Sequence, residues 1–151
     1  MEMNKRAIFI LNDLLEKNYD AELGYRSIAE DVREIQLKAF ILQNAEIRQD
    51  FAIDLTEQIV DLGGKPVSRG SSLINLQLAW INLKAIISFI DEKDIIRECI
   101  KGEEASLRDY HKALKSNKLD DATETMLEEH REEILDTIKA FESLESTGEY
   151  F

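Results

Sequence analysis

The chain has 151 residues, 44% apolar and 33% charged, with 31 acidic against 19 basic side chains and a net charge of −12. That length suits one domain with a real core, and the balance excludes a disordered chain. So acidic a surface repels nucleic-acid phosphates and anionic lipid, which excludes both as expected partners, while the lone Cys99 excludes an intramolecular disulfide and a multi-cysteine metal site.

Periodicity gives five helical segments. The first covers about residues 4–32, with the seam Ile8, Leu11, Leu15, Asn18, Glu22, Tyr25, Ala29, Val32 spaced by threes and fours. Its opening apolar run is too short for a signal peptide. The second covers about residues 35–62, with the seam Leu37, Ile41, Asn44, Arg48, Phe51, Leu55, Gln58, Leu62; only Arg33 and Glu34 mark a turn between the two. LGGKPVSRGSS is the clearest loop: Gly63 suits a left-handed cap and Pro66 blocks continuation. It lacks the Gly-Lys-Ser/Thr junction of a phosphate-binding loop. The third segment, Leu73 to Ile90, carries two apolar stripes, one centred on Trp80 and one formed by Leu78, Ala85, Ile86 and Phe89. Asn75, Gln77, Asn82, Lys84 and Ser88 interrupt it, so it falls short of a membrane span. Asp91 caps the fourth, which reaches about Ser116 along Ile96, Cys99, Glu103, Ser106, Tyr110 and Ala113. The last covers about residues 119–144, with the seam Thr123, Leu127, His130, Ile134, Thr137, Phe141, Leu144.

Short turns make the first two segments one antiparallel pair and the last two another. The loop and the Leu73–Ile90 helix then carry the chain back along the bundle, a single long crossover of the ferritin-like kind. The expected fold is therefore all-α, an antiparallel four-helix bundle with an additional crossover helix, over residues 1–146 with 63–90 as crossover and 147–151 as a frayed tail.

Each bundle seam turns polar near its middle. Glu22, Arg48, Glu103 and His130 fall within about three residues of their helix centres, a slab under about 10 Å thick. Asn18, Asn44, Tyr25 and Tyr110 lie close along the same seams. Buried charges need partners, and two chemistries can provide them. Glu22, Glu103 and His130 can ligate iron, manganese or zinc through carboxylate oxygen and imidazole nitrogen. Alternatively the Arg48 guanidinium takes the metal's place between the carboxylates, with Asn18, Asn44, His130, Tyr25 and Tyr110 satisfying the rest. Cys99 reads as a packed core thiol and His111 as a surface histidine.

The segments DLLEKNYDAELGYRSIAEDV, LGGKPVSRGS and ECIKGEEASLRDYHKAL resemble an uncharacterised bacterial family of four-helix-bundle proteins, a domain of unknown function within the ferritin-like superfamily. Gly102, Glu103, Glu104 and Tyr110 match its Gly-Glu-acidic motif before a helical tyrosine. The resemblance spans nearly the whole chain and implies the fold, not an activity. A superfamily di-iron site needs a Glu on two helices and Glu-x-x-His on each of the others. Glu22 and Glu103 suit the single positions. The second helix offers only Glu46 and Gln49, and on the last helix Leu127 stands three residues before His130, with Glu128 and Glu129 off the seam.

The sequence thus points to a non-catalytic binding, scaffold or stress-related protein with a buried Arg/Glu/His network and no cofactor. A small-ligand sensor is a third class. The alternative is an iron- or manganese-binding oxidase or iron-handling protein with a degenerate site at Glu22, Glu103 and His130. Cytoplasmic location is expected. So is a homo-oligomer, a dimer through the 73–90 helix, because its second apolar stripe is otherwise left exposed unless Tyr150 and Phe151 fold back over it.

Overall fold

The structure is a computed structural model, and it describes residues 2–69 and 91–147. Four helices make up these residues: α1 (Glu2–Ala29), α2 (Ile35–Asp61), α3 (Glu92–Leu114) and α4 (Asp121–Thr147). There is no strand among the described residues.

Each boundary has a local cause. The first helix stops at Ala29, short of the expected Val32, because the Asp31 amide turns back to the Ile28 carbonyl at 3.0 Å. Val32 is nevertheless buried, so the seam continues past the helix. The Glu34 carboxylate then accepts from the amides of Gln36 and Leu37 and caps α2. Glutamate is an uncommon cap, so this start is weakly signalled in the sequence. α2 ends as expected at Gly63, in the left-handed region at φ 87°. The Gly63 amide bonds the Val60 carbonyl at 2.9 Å and that of Gly64 the Ile59 carbonyl at 2.8 Å, the paired bonds of a Schellman end. Asn12 pins the loop beyond along α1, donating to the Lys65 carbonyl at 3.1 Å and accepting from the Val67 amide at 2.8 Å. Asp91 caps α3 through the Asp94 amide, and Asp120 caps α4 through the Thr123 amide. Between them Asn117 takes the left-handed turn at φ 59°.

Cross-helix bonds fix direction. Lys17 meets Asp109, Asn18 meets Tyr110, and Tyr25 meets Glu103, so α1 and α3 run antiparallel. Gln58 meets Thr123, Asp54 meets His130, and Asn44 meets Thr137, so α2 and α4 do too. The packing order around the bundle is α1–α2–α4–α3. Asn4 meets the Leu62 carbonyl and Asn18 meets Arg48, so α1 and α2 are antiparallel as well; α2 and α3 therefore run parallel, and the end of α2 and the start of α3 lie at opposite ends of a bundle about 40 Å long. The expected crossover helix over 73–90 and residues 148–151 of the expected tail lie outside the described residues, while Thr147, expected to fray, is the last residue of α4 and donates to the Ser143 carbonyl at 2.9 Å. Leu11, Leu15, Leu55, Ile59 and Leu127 fill one side of the polar middle, and Ile28, Leu37, Ile41, Ile96, Cys99 and Phe141 the other.

Candidate functional site: a charged network across the bundle

The polar middle is one chain of side-chain bonds that crosses the bundle. At its centre is Arg48, 2% exposed in the middle of α2. Its guanidinium donates through one terminal nitrogen to Glu103 Oε1 at 2.8 Å and through the other to Asn18 Oδ1 at 3.0 Å. It also sits 5.8 Å from the centre of the Phe51 ring. Burial opposes the guanidinium's charge, but Glu103 outweighs it, with help from the tyrosines, and the pKa stands above its ordinary value. The second oxygen of Glu103 accepts from the Tyr25 hydroxyl. Burial first, then the Glu103 charge, pushes the Tyr25 phenol well up.

On the other side of Arg48 the chain runs outward. Because Asn18 Oδ1 accepts from Arg48, its amide nitrogen must donate, and it does so to the Leu14 carbonyl at 2.8 Å and the Tyr110 oxygen at 3.1 Å. Tyr110 therefore donates its own proton to His130 Nδ1, 2.9 Å away. His130 Nε2 then carries its proton toward Asp54 Oδ2 at 2.8 Å. This series fixes a neutral imidazole with its proton on Nε2. Burial, the largest cause, lowers the His130 pKa, partly offset by Asp54. The ring stacks on Phe51 at 4.0 Å and 12°. The Asp54 side chain is 50% exposed, so the chain of bonds ends at solvent.

The expected site residues divide into three groups. Arg48, Glu103, Asn18, Tyr25, Tyr110 and His130 come together. Asn44 stands apart, donating to the Phe40 carbonyl at 2.9 Å and accepting from Thr137 at 3.2 Å, a separate clasp between α2 and α4. Glu22 is buried at 1% exposure but turns away from Arg48: one oxygen meets Arg26 at 2.9 Å and Arg69 at 2.6 Å, and the other accepts no hydrogen bond. Cys99 is buried and its thiol pushed up by burial, in keeping with a packed residue, and His111 is exposed. Sequence reasoning missed Asp54, Arg26 and Arg69. Asp54 lies off the α2 seam; the signal for it was His130 itself, since a buried imidazole needs partners on both nitrogens.

These donors do not fit a metal ion. Both oxygens of Glu103 and both nitrogens of His130 are engaged, and a permanent cation lies between Glu103 and His130. Glu22 already faces two guanidinium groups. Among the described residues no group of three His, Cys, Asp or Glu side chains could hold a metal ion. Nor is any helix among the described residues long and apolar enough to cross a membrane.

Among the described residues, four helices without a strand, packed in this order around a polar middle, define a ferritin-like bundle. Solved structures share it, two Dps proteins among them. The chain is 15% identical to a point mutant of Mycobacterium smegmatis Dps1, with a TM-score of 0.78 over 95% of this chain and 97% of that one. It is 16% identical to a DPS protein from Vibrio cholerae O1, described as a member of a broad superfamily of ferritin-like diiron-carboxylate proteins, with a TM-score of 0.80 over 94% and 90%. At such identities the likeness is one of fold. The chain itself belongs to the family described as Domain of unknown function (DUF2383), which matches residues 6–116. No curated protein matches it.

Proposed function

We propose that this chain is a metal-free ferritin-like protein with a non-catalytic binding, scaffold or stress-related role, working in the cytoplasm as a homo-oligomer. The observation that carries this reading is Arg48, bonded at the bundle centre to Glu103 and, through Asn18, to the Tyr110–His130–Asp54 branch. In a carboxylate-bridged bundle a metal neutralises the buried acids and ties the helices together. Here the guanidinium supports both tasks, and a fixed cation disfavours a second one beside it. With the interior committed to the network, binding falls to the surface, where Phe9, Ile35, Ile53 and Val60 are exposed apolar residues.

Metal analysis tests this. Protein purified without added metal should hold less than about 0.1 iron or manganese per chain, and titration with ferrous or manganous ion should show no saturable binding at micromolar concentration. One or two retained ions per chain, lost on Glu103→Gln or Glu22→Gln, would support the alternative of a degenerate iron or manganese site and end this reading.

A further inference from the structure

Tyr110, His130 and Asp54 form a directed relay that a structural cross-brace does not require. The Tyr110 hydroxyl is deep in the bundle, yet it points at the lone pair of His130 Nδ1, and the opposite ring nitrogen points at a half-exposed carboxylate. We propose that Tyr110 is a one-electron redox site of the bundle, giving its electron to a radical or other one-electron oxidant and its proton to His130.

The step balances on the residues present. The Tyr110 O–H bond breaks and an N–H bond forms at His130 Nδ1. One electron leaves to the oxidant, which is reduced by one. The products are a neutral phenoxyl radical and an imidazolium whose Nε2–H faces Asp54.

The physical case rests on charge. Oxidising a buried phenol without a proton acceptor would leave a cation in a low-dielectric core, at high cost. A neutral imidazole within hydrogen-bond reach removes that cost, and Asp54 carries the compensating charge at the solvent edge. Burial keeps His130 neutral, so its lone pair is available. The second buried phenol lacks these conditions: Tyr25 donates to Glu103, whose protonation would strip Arg48 of its counter-charge. Tyr19 is only half-buried, its ring beside the Arg69 guanidinium.

Photogenerated tris(bipyridine)ruthenium(III), applied to the full chain after chelator treatment, tests the site without reference to the metal question. Freeze-quenched samples should give a tyrosyl radical by electron paramagnetic resonance, lost in Tyr110→Phe and kept in Tyr19→Phe, with circular dichroism showing each variant folded. Asp54→Asn, a surface change that spares packing, should slow radical formation about tenfold or more and alter its solvent isotope effect. A signal that survives in folded Tyr110→Phe, a signal carried by Trp80, or an unchanged rate in Asp54→Asn would each overturn the proposal. If Tyr110→Phe does not fold, the Asp54→Asn rate decides.

Discussion

At the scale of the residue, Arg48 is the most sensitive position. Truncating it leaves Glu103 buried with a charge that, among the described residues, the Tyr25 hydroxyl alone still hydrogen-bonds. Arg48→Ala should lower stability by about 3–5 kcal/mol, measured by urea unfolding. Removing both charges with shape kept, as Arg48→Met with Glu103→Gln, should recover most of that loss, because neither partner is then left buried and uncompensated. An Arg48→Ala protein with unchanged midpoint would show that the pair contributes nothing. His130 adds a pH dependence with a definite sign. Its folded pKa lies below the ordinary 6.5, chiefly through burial, with Asp54 and Glu129 opposing and Arg48 adding to the shift. Well above pH 6.5 both states are neutral there and His130 carries no penalty. As pH falls below that value the unfolded chain takes up the proton first, so stability falls, by up to about 1.4 kcal/mol per pH unit. Protonation of Nδ1 would also face it with the Tyr110 hydroxyl proton. The pH slope near 6 should flatten in His130→Gln, and nitrogen chemical shifts should place the wild-type proton on Nε2.

At the scale of the element, the ends of α2 and α4 make the clearest tests. A methyl group on Gly64 would come within 2.7–2.8 Å of three atoms of the Ile8 side chain, whose β-branch leaves little room to turn aside. Gly64→Ala should therefore cost about 1–3 kcal/mol through overpacking, and Ile8→Ala should relieve part of it in the double variant. Ile8 thus packs against the core from its seam position and also closes over the loop at Gly64. At α4 the cap is polar: Thr123 bonds hold the Asp120 carboxyl below its ordinary range. Asp120→Ala should cost about 1 kcal/mol, read as a lower urea midpoint. A loss no larger than at a neighbouring exposed position would show the cap to be idle.

At the scale of the whole molecule, α1 is antiparallel to both α2 and α3, so α2 and α3 run parallel and their connection joins opposite ends of the bundle. The sequence of that connection has two apolar stripes, and the homo-oligomer reading rests on the second one. Sedimentation at micromolar concentration should give about twice the 17.4 kDa chain mass, and Phe89→Glu should return it to one chain. A monomer, with Phe89→Glu unchanged in mass and solubility, would rule out a dimer through residues 73–90.

The sequence by itself determined the four helices of the described residues, the antiparallel pairing of neighbours joined by short turns, and which seam positions turn polar, because helical seams are periodic and each break in a seam is visible in one dimension. Asn18, Arg48, Glu103, Tyr110 and His130 could be named that way. What it could not determine was which charge answers which. Glu22 and Glu103 are equally good seam residues, yet a rotation of one side chain toward Arg26 and Arg69 takes Glu22 out of the network, while Glu103 takes Arg48. Asp54 is an ordinary exposed acid in sequence and becomes the outer end of the network only because α2 sets it against His130. Pairing depends on distances of a few ångströms between helices far apart in the chain, and only the tertiary structure decides those.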